Sequence, residues 1–145
     1  MTNAEIKSYR EYLGLSIHNL AKLINVTHQK INSWENADKE HLIVPVEVAK
    51  TIMNLDKLAD QFATELIKEI LNRYTETQII EKSIVLYRFE SEEKLWQTFP
   101  ILNNLPISFY MKCIFRAKKA LEINYKCKVR INYLYDKNIK LVSLV

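Results

Sequence analysis

Glycine occurs once in this chain of 145 residues, at Gly14. Glycine supplies the positive-φ turns and close backbone approaches on which large all-β folds and phosphate-cradling loops depend. A single one argues against both and directs the chain towards helices. Apolar residues at 48% and aromatics at 10% are enough for a buried core and exclude the disordered class. The length fits one domain or two small ones. No apolar run approaches the roughly 20 residues that a membrane span requires. The opening residues, Met1 to Glu5, lack the basic-then-apolar layout of a secretory leader. Cys113 and Cys127 form no Cys-x-x-Cys pair and are too few for a disulfide scaffold, so reduced thiols in a cytoplasmic protein are expected.

The first half reads as short helices with short breaks. Ile6, Tyr9 and Leu13 share one helical face, and Gly14 supplies a left-handed stop. Ser16 is an N-cap for a second helix carrying Leu20, Ala21, Leu23 and Ile24, and Asn25 tolerates the positive φ of the turn that ends it. Thr27 caps a third helix that turns Ile31 and Trp34 inward. Neither cap is followed three residues on by Glu or Gln, so no capping box is expected. Asn36 to Leu42 is a polar loop, and Pro45 suits the first turn of a long fourth helix. Along that helix Val48, Ile52, Leu55, Ala59, Phe62, Leu66 and Ile70 form a near-heptad stripe, suited either to the chain's own core or to pairing two subunits.

After Tyr74 the texture changes. Ile84 to Phe89 is a β-rich run, Ser91 caps an acidic helix start, and a further helix is expected over Tyr110 to Ile123. Strand-period alternation follows from Cys127 to Tyr135, with Asp136 to Asn138 as a turn into a last strand over Ile139 to Val145. The fold expected is mainly α: a helix-turn-helix bundle of four to five helices over residues 1–74, then a small α+β domain over residues 75–145.

Arg10, Leu13-Gly14-Leu15-Ser16, Leu20-Ala21, Ile24-Asn25-Val26-Thr27, Ile31 and Trp34-Glu35-Asn36 stand at the spacing of a helix-turn-helix. Over these 27 residues the chain resembles the Cro/repressor, or Xre-like, superfamily. Three positions depart from the pattern: Ile17 stands where the family has a phosphate-contacting Gln, Asn25 where it has Gly, and Ala37 where Gly commonly follows Glu35-Asn36. The Met-Thr-Asn opening, Trp34-Glu35, Val44-Pro45 and Tyr87-Arg88-Phe89 look further like the YdiL-like regulators, a group that includes anti-CRISPR-associated autorepressors. That resemblance implies a C-terminal domain that dimerises and a homodimer reading an inverted-repeat operator in double-stranded DNA as a transcriptional repressor.

The outward residues of the third helix are the candidate readers. Gln29 and Asn32 suit bidentate contact to adenine, and Lys30 suits guanine or a phosphate. His28, Thr27 and Ser33 suit phosphates and nearby base edges. Ser16, at the start of the preceding helix, completes the set. His18, His28 and His41 are scattered away from metal-ligand spacing, and no nucleophile elbow or phosphate loop is present. The chain is therefore expected to be no enzyme and to carry no metal or cofactor.

Charge qualifies the DNA reading. The formal +4 is unevenly spread. Residues 1–45 hold five basic and five acidic side chains, whereas residues 111–145 hold nine basic and two acidic. This basic tail, with Tyr125, Tyr133 and Tyr135 interleaved, supports an alternative: an antitoxin-like or adaptor protein whose second half binds a protein or RNA partner. Against it stands the plainer reading, lysines that guard a strand edge against pairing.

Overall fold

The structure is a computed structural model that describes residues 1–135 and 142–144. It is mainly helical, with a small mixed α+β region in the second half. The chain separates into two compact units: Met1–Ala59 with Asn104–Lys112, and Asp60–Asn103 with Cys113–Val145. The division falls inside two long helices. The sequence placed its boundary at the end of the first of these, between Tyr74 and Thr75.

The first unit is built on α1 (Asn3–Tyr12), α2 (Ile17–Ile24) and α3 (His28–Glu35), with the beginnings of α4 (Val46–Arg73) and α7 (Ile107–Asn124). Thr2 and Glu5 cap α1 reciprocally: the Glu5 amide donates to the Thr2 hydroxyl at 3.1 Å, and the Thr2 amide donates to the Glu5 carboxylate at 2.7 Å. That backbone donor holds the Glu5 carboxyl below its ordinary range. Gly14 then turns the chain at φ 69°. A Cβ there would lie 2.5 Å from the Ser108 carbonyl oxygen, so glycine is required by contact as well as by dihedral. Asn25 closes α2 in the left-handed conformation, φ 55° and ψ 51°, as its residue type predicts.

The caps correct one expectation. Ser16 does form a capping box, closed by Asn19 rather than by Glu or Gln. Asn19 donates its amide to the Ser16 hydroxyl at 3.0 Å and accepts from the Ser16 amide at 3.2 Å. An Asn side chain is short for this role, which is why the usual signature misses it. The Asn36–Leu42 loop contains a 3-10 turn, Ala37–Lys39. Buried Asn3 pins it by donating its side-chain amide to the carbonyls of Asn36 and Lys39 at 3.3 and 3.2 Å.

Along α4 the stripe is buried at Val48, Ile52, Ala59 and Ile70 and half-buried at Leu55, Phe62 and Leu66. Of the two roles open to it, this burial is that of a core-covering face.

The second unit adds α5 (Glu76–Glu81), β1 (Ser83–Arg88), α6 (Glu92–Thr98), β2 (Lys128–Tyr133) and β3 (Val142–Leu144) to the remainders of α4 and α7. The short α5 was not anticipated; Thr75 and Gln78 cap it reciprocally. The sheet order is β2-β1-β3, with β2 parallel and β3 antiparallel to β1. β1 lies between β2 and β3. The reason is burial: Ile84, Val85, Leu86 and Tyr87 are all buried, so β1 is apolar on both faces and takes the centre. β2 alternates, with Lys128, Arg130 and Asn132 exposed, and takes an edge. The expected turn at Asp136 to Asn138, and Ile139 to Leu141 and Val145 of the last strand, lie outside the described residues.

Phe99 joins Phe62 and Phe89 edge-on, at centroid distances of 4.9 and 6.0 Å, and Arg116 on α7 donates to Asp60 on α4 at 2.6 Å. These contacts fix the second unit's core around α4 and α7. The Cys113 and Cys127 thiols are both buried. Desolvation pushes the Cys113 thiol up to about 12 and raises that of Cys127. No helix among the described residues is long and apolar enough to cross a membrane.

Candidate nucleic-acid interface

The site is the outer face of α3 with the start of α2. Leu20 and Ala21 of α2 and Ile31 and Trp34 of α3 are buried where the two helices pack. Full burial of a large apolar side chain stabilises by roughly 1.5–3 kcal/mol, so Ile31 and Trp34 hold α3 firmly against its neighbours. Once they face inward, the 3.6-residue period forces His28, Gln29, Lys30 and Asn32 outward, and all four are exposed. Ser33, beside Trp34, is half-buried. The site is a short, polar helical face that exposes hydrogen-bond donors and acceptors.

Thr27 and Ser16 are engaged locally. The Thr27 hydroxyl accepts from the Lys30 amide at 3.2 Å, leaving its own proton available. The Ser16 hydroxyl accepts from the Asn19 amide and lies 2.7 Å from the Asn19 side-chain oxygen. Lys30 places its ammonium 5.9 Å from the centroid of the Trp34 ring, which steadies its long stem along α3.

Two relationships escaped the sequence. Arg10 of α1 grips Glu35 at the end of α3, with Nε to Oε1 at 2.6 Å and Nη2 to Oε2 at 3.0 Å, while its Nη1 donates to the Leu15 carbonyl at 2.8 Å. The Glu35 carboxylate holds the Arg10 guanidinium still more firmly protonated than usual. His18, on α2, has its Nδ1 3.1 Å from Nε2 of His28, the rings meeting edge-on. Both pairs join residues far apart in sequence, with no periodicity to announce them.

A second surface lies on β2, which among the described residues pairs only with β1. Lys128 and Arg130 project from it, and Arg88 of β1 lies 5.9 Å from the centroid of the Tyr133 ring. Tyr133 and Tyr135 are exposed, their ring centroids 5.8 Å apart. Among the described residues no group of three or more His, Cys, Asp and Glu side chains is placed to hold a metal ion.

No family model matches the chain, and no curated protein matches it.

Proposed function

We propose that this chain is a sequence-specific DNA-binding regulator of the Xre-like, YdiL-like kind. In this reading it is a homodimeric repressor, an autorepressor, that places α3 in the major groove of each half of an inverted repeat. The observation that carries the reading is the outer face of α3, with His28, Gln29, Lys30 and Asn32 exposed while Ile31 and Trp34 anchor the helix. A groove-reading helix needs both properties: a rigid seat, and an uncommitted set of bidentate and cationic side chains at its N-terminal end. One such helix makes too few contacts for useful specificity, which is the reason for a two-fold pair. No catalytic, metal or cofactor role belongs to this reading.

Selection from random duplex DNA with the full-length protein, followed by footprinting, tests it. The expected result is a protected palindrome whose half-sites lie one helical turn apart, about 34–36 Å. Absence of any enriched palindrome at moderate salt sinks it.

The antitoxin-like or adaptor alternative is favoured by the exposed side chains of Lys128, Arg130, Tyr133 and Tyr135, a basic, aromatic set suited to a protein or RNA. A co-purifying protein or RNA lost on replacing Tyr133 and Tyr135 supports that reading instead.

A further inference from the structure

His18 was no part of the reading face derived from the sequence, yet it is exposed and in direct contact with His28, the first residue of α3. The 3.1 Å contact joins Nδ1 of His18 to Nε2 of His28, so the outer nitrogens are Nε2 of His18 and Nδ1 of His28. Proton counting fixes what those outer nitrogens offer. With both rings neutral, one inner nitrogen donates to the other, whichever tautomer holds. The donating ring then has a bare outer nitrogen, and the accepting ring carries its proton outside. The neutral pair therefore presents one donor and one acceptor. Adding a single proton to the bare outer nitrogen leaves the inner hydrogen bond intact and makes it charge-assisted. The pair then presents two N–H donors and a positive charge.

We infer that His18 and His28 act as one proton-sharing unit on the DNA-reading face, and that contact with a backbone phosphate is linked to uptake of one proton by the pair. The inference rests on the DNA-binding reading above. A phosphate oxygen accepts hydrogen bonds and donates none, so it is matched to the protonated pair and mismatched to the bare nitrogen of the neutral one. The charged groups on the two carrying helices are Lys22 on α2 and Lys30 and Glu35 on α3. Lys30 lies over Trp34, and Glu35 is bound by Arg10 of α1 at the opposite end of the eight-residue helix. Of the other elements packed on α3, α1 carries Glu5, Lys7, Arg10 and Glu11, and the 3-10 turn carries Asp38 and Lys39. No carboxylate is ion-paired with either imidazole among the described residues. The anion that answers the added charge is therefore left to the partner.

The test has two arms, both on the full-length protein with a chelator present. In the first, NMR follows the ring protons of His18 and His28 through the range in which imidazoles change charge, about pH 5 to 8. The expected titrations are mutually dependent, each changing shape when the other residue is replaced by Asn. Two independent single-proton curves overturn the inference without any reference to DNA. In the second arm, affinity for a 20-base-pair duplex of random sequence is measured at constant salt. Wild type should bind about threefold to tenfold tighter at pH 6 than at pH 8, which corresponds to an average uptake of about a quarter to half a proton over those two pH units. His18→Asn and His28→Asn should each abolish most of that difference, and His41→Asn should keep it. Equal pH dependence in all four proteins, or none in wild type, overturns the inference while leaving DNA binding in place. Failure of wild type to bind duplex at any pH overturns the DNA reading and this inference together.

Discussion

Arg10 and Glu35, twenty-five residues apart, meet through two nearly parallel N–H to carboxylate bonds of 2.6 and 3.0 Å. Their side chains are only 10% and 7% exposed. The pair ties α1 to the end of α3 and so sets the angle at which the α3 face is presented. Removing one member of a pair this buried leaves the other poorly compensated, Arg10 keeping only the exposed Glu11 carboxylate at 3.6 Å. Arg10→Met and Glu35→Leu should each cost about 3–5 kcal/mol in urea unfolding. The double substitution should recover most of that loss. A double variant as unstable as Arg10→Met, with Glu35→Leu close to wild type, would show that the hydrogen bond from Arg10 to the Leu15 carbonyl, not the ion pair, is the main tie.

Gly14 and Asn25 both turn the chain at positive φ, but for different reasons. At Gly14 a side chain is barred by contact, the Ser108 carbonyl carbon standing 2.9 Å from any added Cβ. Gly14→Ala should therefore lose about 2 kcal/mol or more, the left-handed penalty of 1–2 kcal/mol plus the clash. Asn25 is exposed, and its left-handed cost is the whole issue. Asn25→Gly should stay within about 1 kcal/mol of wild type, and Asn25→Val should fall well below it. Thermal denaturation of the three variants separates the two cases.

These local turns were legible because a single residue type carries the information. Gly14, Asn25, Ser16, Thr27 and Ser91 each mark an element end by their own backbone or hydroxyl chemistry. The inward pair Ile31 and Trp34 was legible by period, and it fixed the outward set on α3 with it. The sequence did not reveal partnerships closed in space. Arg10 with Glu35 and His18 with His28 have no fixed spacing, because the turn between helices decides them. The Asn19 box was hidden for a smaller reason, a side chain one methylene shorter than the one usually sought. The position of β1 between β2 and β3 is a matter of which strand must bury both faces, which strand period alone does not order.

Cys113 gives a pH signature with a definite sign. Desolvation pushes the folded thiol up to about 12 from an ordinary 9.0, so the folded chain keeps a proton that the unfolded chain has lost. The associated stability is complete below pH 9 and is lost as pH rises towards 12, by roughly 1.4 kcal/mol per unit at most. Urea unfolding of wild type and Cys113→Ala at pH 8 and pH 10 should show wild type losing more. Thiol reagents should leave Cys113 unmodified in the folded protein at pH 8, since the thiolate is both scarce and buried.

On the DNA reading, α3 should separate specificity from grip. Gln29→Ala removes a bidentate base reader and should erase about 1–3 kcal/mol of discrimination at one operator position while random duplex still binds. Lys30→Ala should weaken selected and random duplexes alike and reduce the salt slope by about 1. Both positions are exposed, so unfolding free energies should stay within about 0.5 kcal/mol of wild type. Equal loss of specific and random binding in Gln29→Ala would move base reading to another residue of the face.

The basic excess of the tail can now be examined without truncation, which would strip β2 and β3 from the sheet. Lys128 and Arg130 share one face of an edge strand, exposed and two residues apart, and Val129 between them packs inward. A strand edge with its backbone groups open to solvent pairs with another copy unless charge or shape prevents it. Lys128→Thr with Arg130→Thr removes that charge while keeping strand propensity. The double variant should self-associate with rising concentration in sedimentation velocity while its salt slope on duplex DNA matches wild type. If instead the slope falls by about 2 and the protein stays at its original size, these two cations touch phosphate. The positive charge of residues 111–145 would then belong to the DNA interface and not to the protection of an edge.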